Sequence, residues 1–151
     1  MKKGIKVSEI TFGDDNLKTL GNSRLGCFLE ILECIKQQMD TMLSHHSKII
    51  VVRLDLHVDA YCPDNELMSK FIMKIRKKLC AHFGLKRLGF IWVREQEKAK
   101  KQHYHIAIIL DANKVFNTKN VIPIIQRIAE GWNLFLWVPR KMLLQDQKKR
   151  F

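Results

Sequence analysis

The spacing of apolar positions changes several times along the chain, and each change marks a new element. From Ser23 onward Leu25, Phe28, Leu29, Leu32, Ile35, Met39, Met42 and Leu43 recur at intervals of three and four. This is one face of an amphipathic helix, with Asn22 or Ser23 as its cap. At Ile49 the period switches. Ile49-Ile-Val-Val52 is a β-branched run, and beyond it Arg53, Asp55 and His57 alternate with Leu54 and Leu56. The pattern predicts a strand that is buried at its start and half polar toward its end. Helical spacing returns at Leu67, Met68, Phe71, Ile72, Ile75 and Leu79 and stops by Gly84, while the other side of this helix carries Lys70, Lys74, Arg76, Lys77 and Lys78. Leu88 to Glu97 and His103 to Leu110 read as two strands of an antiparallel hairpin, joined by the charged loop Lys98 to Gln102. A further helix is predicted from about Lys119 to Glu130, with Pro123 in its first turn and Gly131 just past its end. Asn133 to Val138 is the last strand, stopped by Pro139.

Met1 to Asn22 sustains no period and reads as an irregular arm with one short strand at Ile5 to Ile10. The expected organisation is therefore an arm at 1–22, a single domain at 23–139 that includes the first helix, and a basic tail at 140–151. After the first helix the order is βαββαβ. It predicts an α+β fold, a ferredoxin-like four-stranded antiparallel sheet with helices on one face. In that sheet the first, second and fourth strands are expected to point one way and the third to point back, with the first and third adjacent at the centre.

Composition narrows the function. With 46% hydrophobic and 28% charged residues among 151, the chain is globular rather than disordered. Lysine and arginine number 27 against 15 acidic residues, a net charge of +12 that favours a polyanionic partner, nucleic acid ahead of an anionic membrane surface. The apolar runs fall far short of the roughly 20 residues that span a bilayer. Lys6, Glu9, Asp14 and Asp15 interrupt what a secretory signal would need, so a cytoplasmic protein is expected. Cys27, Cys34, Cys62 and Cys80 contain no Cys-x-x-Cys pair and read as reduced thiols, mostly core filler.

The predicted topology gathers chemistry at one edge, where the first and second strands end and the third begins. His57, Glu95, Glu97, His103 and His105 belong there. If the hairpin pairs Glu97 with His103, Glu95 falls opposite His105, and alternation sets all four on one face. Two imidazoles spaced by one residue, with a carboxylate on the neighbouring strand, form a set of nitrogen and oxygen donors that suits manganese or magnesium in a phosphate-handling site and leaves zinc open as an alternative. Lys98, Lys100 and Lys101 beside it, and Arg140 and Lys141 in the tail, are the candidate DNA contacts. Plainer readings stand alongside: an exposed strand face, a solvated helix side, core packing for at least two of Trp92, Trp132 and Trp137, and surface or helix-end positions for His45, His46 and His82.

Three stretches resemble a known family: Ile50-Val-Val-Arg-Leu-Asp-Leu-His57, Tyr61-Cys-Pro-Asp-Asn65, and Lys86-Arg-Leu-Gly-Phe-Ile-Trp-Val-Arg-Glu-Gln-Glu-Lys-Ala-Lys-Lys-Gln-His-Tyr-His105. Over about residues 38 to 139 the chain resembles the YagK/YfjJ C-terminal domain family of inoviruses and prophages. That family is similar to the HUH endonucleases, which initiate rolling-circle replication, and His103-Tyr104-His105 matches their His-hydrophobic-His motif. The resemblance implies a divalent metal on His103 and His105, with Glu95 or Glu97 as third ligand, that polarises a phosphate of single-stranded DNA for attack by a tyrosine. In the family that tyrosine lies on a helix after the fourth strand, whereas this chain has tyrosine at 61 and 104 alone. Tyr104 falls on the face opposite the histidines and is expected in the core. Tyr61, in the loop that emerges at the metal edge, is the candidate nucleophile, set against a role as loop anchor. Two functions follow: a nickase of single-stranded or hairpin DNA using Tyr61 or an activated water, or a shortened relative that binds DNA without cutting it. The second would serve as a regulator, a decoy or an inhibitor of replication in a mobile element; a third reading has the sheet dock onto a protein partner, in replication or phage defence, with DNA irrelevant.

Overall fold

The structure, a computed structural model, describes residues 9–12, 15–18, 29–96 and 101–139. The chain divides into two units, residues 1–37 and 38–151. In the first, β1 (Glu9–Phe12) and β2 (Asp15–Lys18) pair antiparallel, with Glu9 opposite Lys18 and Phe12 opposite Asp15. The pattern anticipates one strand here, and its Ile5 to Ser8 portion lies outside the described residues. The second strand, Asp-Asn-Leu-Lys, lacks any β-branched or aromatic residue, so pairing rather than propensity makes it a strand. α1 (Leu29–His45) follows; its expected cap at Asn22 or Ser23 also lies outside the described residues.

In the second unit come β3 (Ile49–Val58), α2 (Glu66–Phe83), β4 (Gly89–Gln96), β5 (Gln102–Asp111), α3 (Ile122–Gly131) and β6 (Phe135–Trp137). The four strands form one antiparallel sheet in the order β4-β5-β3-β6, which makes the fold mixed α+β. The expectation that the fourth strand shares the direction of the first is corrected. β6 pairs antiparallel with β3, Leu136 facing Leu56. The crossover through α3 returns the chain parallel to β5, and β5 opposes β3.

Element ends follow local chemistry. α2 stops where Gly84 takes φ +64, a backbone region in which a Cβ is strained. α3 begins after a 3-10 turn at Thr118–Asn120, capped by the Asn117 side chain, which accepts from the Asn120 N–H at 3.2 Å. Gly131 proves to be the last helical residue rather than the one beyond it. The left-handed position falls on Asn133, φ 55, a residue type that tolerates it, and β6 therefore starts only at Phe135.

Alternation along the strands divides the sheet into two faces. Leu54 and Leu56 of β3 and Tyr104, Ile106 and Ile108 of β5 point into a core shared with Phe71, Ile75 and Leu79 of α2 and Ile125 of α3, all essentially inaccessible. On the other face Met42 of α1 covers one end. A Cβ on Gly89 would lie 3.0 Å from Met42 Cγ and 3.3 Å from Ile109 Cβ, so the close approach of Met42 to the sheet depends on glycine there. The far end of that face carries half-buried His57, His103 and His105 and exposed Glu95, Phe135 and Trp137. Cys34, Cys62 and Cys80 are free thiols, as expected, but Cys34 is exposed and fills no core. Among the described residues no helix is long and apolar enough to cross a membrane.

Candidate functional site

The strand register assembles the polar end of the sheet in two rows. Glu95, His103, His57 and Phe135 lie side by side across β4, β5, β3 and β6. In the next row His105 faces Asp55, which faces Trp137. The expected pairing of Glu97 with His103 is corrected: Glu95 stands opposite His103 and Gln96 opposite Gln102, a shift of two residues. Gln102 belongs to the strand rather than the loop. Its side chain is buried and donates from Nε2 to the Cys62 carbonyl at 2.6 Å. A shift of two preserves the face of every side chain, so the set still gathers on one side. Glu97, Lys98, Lys100, Arg140 and Lys141 lie outside the described residues; Lys101 is exposed just before β5.

His105 is the hub. Its Nδ1 is 2.8 Å from Asp55 Oδ1 and its Nε2 is 2.7 Å from Glu95 Oε2, so each ring nitrogen meets a carboxylate. Burial alone would lower the imidazole below its ordinary 6.5. The hydrogen bonds and negative charges of Glu95 and Asp55 outweigh it, and the pKa is raised. Asp55 is a carboxylate only 8% exposed, tolerable because His105 holds it, with Arg53 Nε 3.9 Å away on the solvent side. The sequence pattern shows Asp55 as one polar residue in an alternating strand; only the β3–β5 register reveals that it faces His105. His57 and His103 stack with ring centroids 4.1 Å apart, and His57 meets Phe135 edge-on at 5.7 Å, so three rings run across three strands.

The donors suit a divalent cation in kind, three imidazoles and two carboxylates without a thiolate. Their present arrangement does not match the expected metal constellation. Among the described residues no group of three or more histidine, cysteine, aspartate or glutamate side chains stands ready to hold a metal ion. His105 spends Nε2 on Glu95 and Nδ1 on Asp55, so a cation would have to replace the Glu95 contact, with Asp55 left orienting the ring.

Neither tyrosine of the chain belongs to this face. Tyr104 is 1% exposed in the core, its hydroxyl 3.3 Å from Asn65 Oδ1 and 3.4 Å from Gln102 Oε1, and burial pushes its pKa up, away from the phenolate a nucleophile needs. Tyr61 is exposed beside Arg94, whose guanidinium lies 6.0 Å from the ring centroid. Arg94 sits opposite Tyr104 in the β4–β5 ladder and so belongs to the helix-covered face. There it donates to the carbonyls of Cys62 and Asp64 at 2.7 and 3.2 Å and to Asn65 Oδ1 at 3.2 Å. Tyr61 thus belongs to a pinned loop, and its candidacy as nucleophile is not supported by this geometry.

Of the tryptophans, Trp92 and Trp132 pack against the core as expected, while Trp137 is 47% exposed beside Asp55. Phe135, 65% exposed in the histidine row, is a feature the sequence pattern did not single out, since a lone aromatic in a short strand reads as core. His46, expected at the surface or at a helix end, directly follows α1, its N–H donating to the Met42 carbonyl at 3.0 Å and its Nδ1 lying 3.2 Å from Asp111 Oδ2, with the side chain 13% exposed.

Comparison with known proteins places these residues in context. The model of the YagK/YfjJ C-terminal domain family matches residues 11–139. The uncharacterized protein YfjJ of Escherichia coli (strain K12) is 27% identical over 106 residues, covering 55% of this chain. The chain spans about half the length of that relative, 51%. No solved structure matches.

Proposed function

The chain belongs to the YagK/YfjJ C-terminal domain family, and from that premise we propose that it is a DNA-handling domain of the HUH type from a mobile element. In this reading it binds single-stranded or hairpin DNA on the histidine face of the sheet, in the cytoplasm of a bacterial host. The element order from β3 to β6 and the strand order β4-β5-β3-β6 are those a ferredoxin-like unit requires, which supports the fold side of the reading. The observation that carries the function is the joint row of Phe135, His57 and His103, flanked by Trp137 and His105, on the face that α2 and α3 leave uncovered. Flat rings on an open strand face stack on unpaired bases without regard to sequence, and a net charge of +12 draws the phosphate backbone to them.

A divalent cation, manganese or magnesium, belongs to the proposal with His103, His105 and Glu95 as its ligands and His57 beside them. When bound it supplies positive charge to a phosphate oxygen. The chain's own groups do the rest: Asp55 holds Nδ1 and orients the His105 ring, while Nε2, which Glu95 contacts in the metal-free site, is left for the cation. Because both tyrosines are directed elsewhere, the domain is proposed to bind without forming a tyrosine adduct. A second reading, nicking by water, is favoured by the Asp55–His105–Glu95 chain, an imidazole between two carboxylates that can pass a proton.

The test mixes the protein with end-labelled single-stranded, hairpin and duplex oligonucleotides, with manganese or with chelator, on native and denaturing gels. Retention of single strands that weakens with salt, is lost in the double variant Phe135→Ala, Trp137→Ala, and leaves no SDS-resistant adduct is the expected result. A manganese-dependent product abolished by His103→Ala would assign the nicking reading. Failure to retain any oligonucleotide at low salt would overturn both.

A further inference from the structure

A second site lies on the helix side of the sheet. Along α2, Lys74, Lys78 and His82 follow one another at four-residue spacing and form a single stripe. Arg127 of α3 faces the same groove, whose floor is Ile124, Ile128 and the indole of Trp132. The cavity measures about 540 Å³, within the range of small-molecule sites, roughly 300–1,000 Å³. Every ionisable residue lining it is a base; no aspartate or glutamate takes part. Farther along α2, Lys70 is neutralised by Glu66, Nζ to Oε1 at 2.6 Å, whereas Lys74, Lys78 and Arg127 enter none of the ion pairs among the described residues. Like charges one helical turn apart repel, and a third cation converging from the neighbouring helix adds to the repulsion; an anion in the groove relieves it.

The floor says which kind of anion. Trp132 packs edge-on against Phe71, ring centroids 5.8 Å apart, and is half-buried beside the cations. A half-buried indole and two isoleucines beside three cations match a flat heterocycle attached to phosphates. We propose that the groove between α2 and α3 is a nucleotide site, with the base against Trp132 and Ile128 and the phosphates on Lys74, Lys78 and Arg127. The ligand is a free nucleoside polyphosphate or the phosphorylated 5′ end of a nucleic acid. The site does not depend on the histidine face: the sheet separates the two.

Gly131 at the rim provides a clean probe, because a Cβ there meets nothing within 4 Å and the backbone is unstrained. The full chain is dialysed to equilibrium against labelled ADP and ATP in the presence of chelator, which silences any cation on the histidine face. Binding is expected, weakened about tenfold or more by Lys78→Gln, by Arg127→Gln and by Gly131→Glu, and unchanged in His105→Ala on the opposite face. Competition then separates the sources. A 5′-phosphorylated oligonucleotide that displaces ADP while its 5′-hydroxyl twin does not identifies a strand end; no displacement by either identifies the free nucleotide. The proposal is overturned by absence of binding at millimolar nucleotide, by affinities indifferent to the substitutions at 78, 127 and 131, or by inorganic pyrophosphate binding as tightly as ADP.

Discussion

Glu95 stands opposite His103 in the β4–β5 ladder, yet its carboxylate closes on His105, the diagonal neighbour, with Oε2 2.7 Å from Nε2. Diagonal partners on an antiparallel pair lie within reach of long side chains, and glutamate is long enough to take that step. His105 is consequently bracketed from both neighbouring strands, by Glu95 on β4 and by Asp55 on β3, and its ring orientation is set before any ligand arrives.

His105 should titrate above its ordinary 6.5, because the two carboxylates overcome the opposing effect of burial. The stability it contributes is complete below about pH 6.5 and is lost as pH rises through the elevated value. In Glu95→Gln and in Asp55→Asn the pKa should move back down, and the difference in urea midpoint between pH 6 and pH 8 should shrink. Imidazole NMR titration checks the first point and denaturation at the two pH values the second. A wild-type His105 titrating at or below 6.5 would contradict the geometry.

Phe135→Ala and Trp137→Ala should each weaken single-strand binding by about 1–3 kcal/mol, the usual worth of one stacked base. Folding should be nearly unaffected, since these rings are 65% and 47% exposed. Duplex binding, which depends on phosphate contacts, should change little. Fluorescence anisotropy with single-stranded and duplex oligonucleotides reads the contrast; equal losses on both substrates would remove the rings from the interface.

Tyr61→Phe should leave nucleic-acid handling untouched, because its ring belongs with Arg94 on the helix side. Tyr104→Phe should cost about 0.5–1.5 kcal/mol of stability through its long hydrogen bonds to Asn65 and Gln102, again with no effect on DNA. Thermal denaturation alongside binding assays separates the two effects. A covalent DNA adduct lost in either variant would restore that tyrosine as nucleophile.

Arg94→Met should release the loop at residues 62–65, which now receives three hydrogen bonds from one guanidinium, and cost about 2–3 kcal/mol. Arg94→Lys should recover only part of that, since a single ammonium cannot reproduce the planar fork. Hydrogen exchange should rise first at Glu66 and Ser69, the N-terminal turn of α2. Unchanged protection there would show that the loop is held by other means.

Most of the fold was legible in the sequence because burial imposes periodicity. The four-residue stripe of α2, the alternation in β3 and β5, and Gly84 as a stop are local consequences of which side chains leave water. The same alternation sufficed to put His57, Glu95, His103 and His105 on one face, and Tyr104 on the other. Tertiary structure decided what periodicity is blind to. A shift of two residues leaves every face unchanged, so the register of the folded hairpin, in which Gln102 is buried and bonded to Cys62, decides which carboxylate meets which histidine. The partnership of Asp55 with His105 joins residues fifty positions apart, and the exposure of Phe135 depends on which strand ends at the rim. Local spacing reports which way a side chain faces; what it faces is settled by pairing energies between distant segments, which no single stretch of sequence contains.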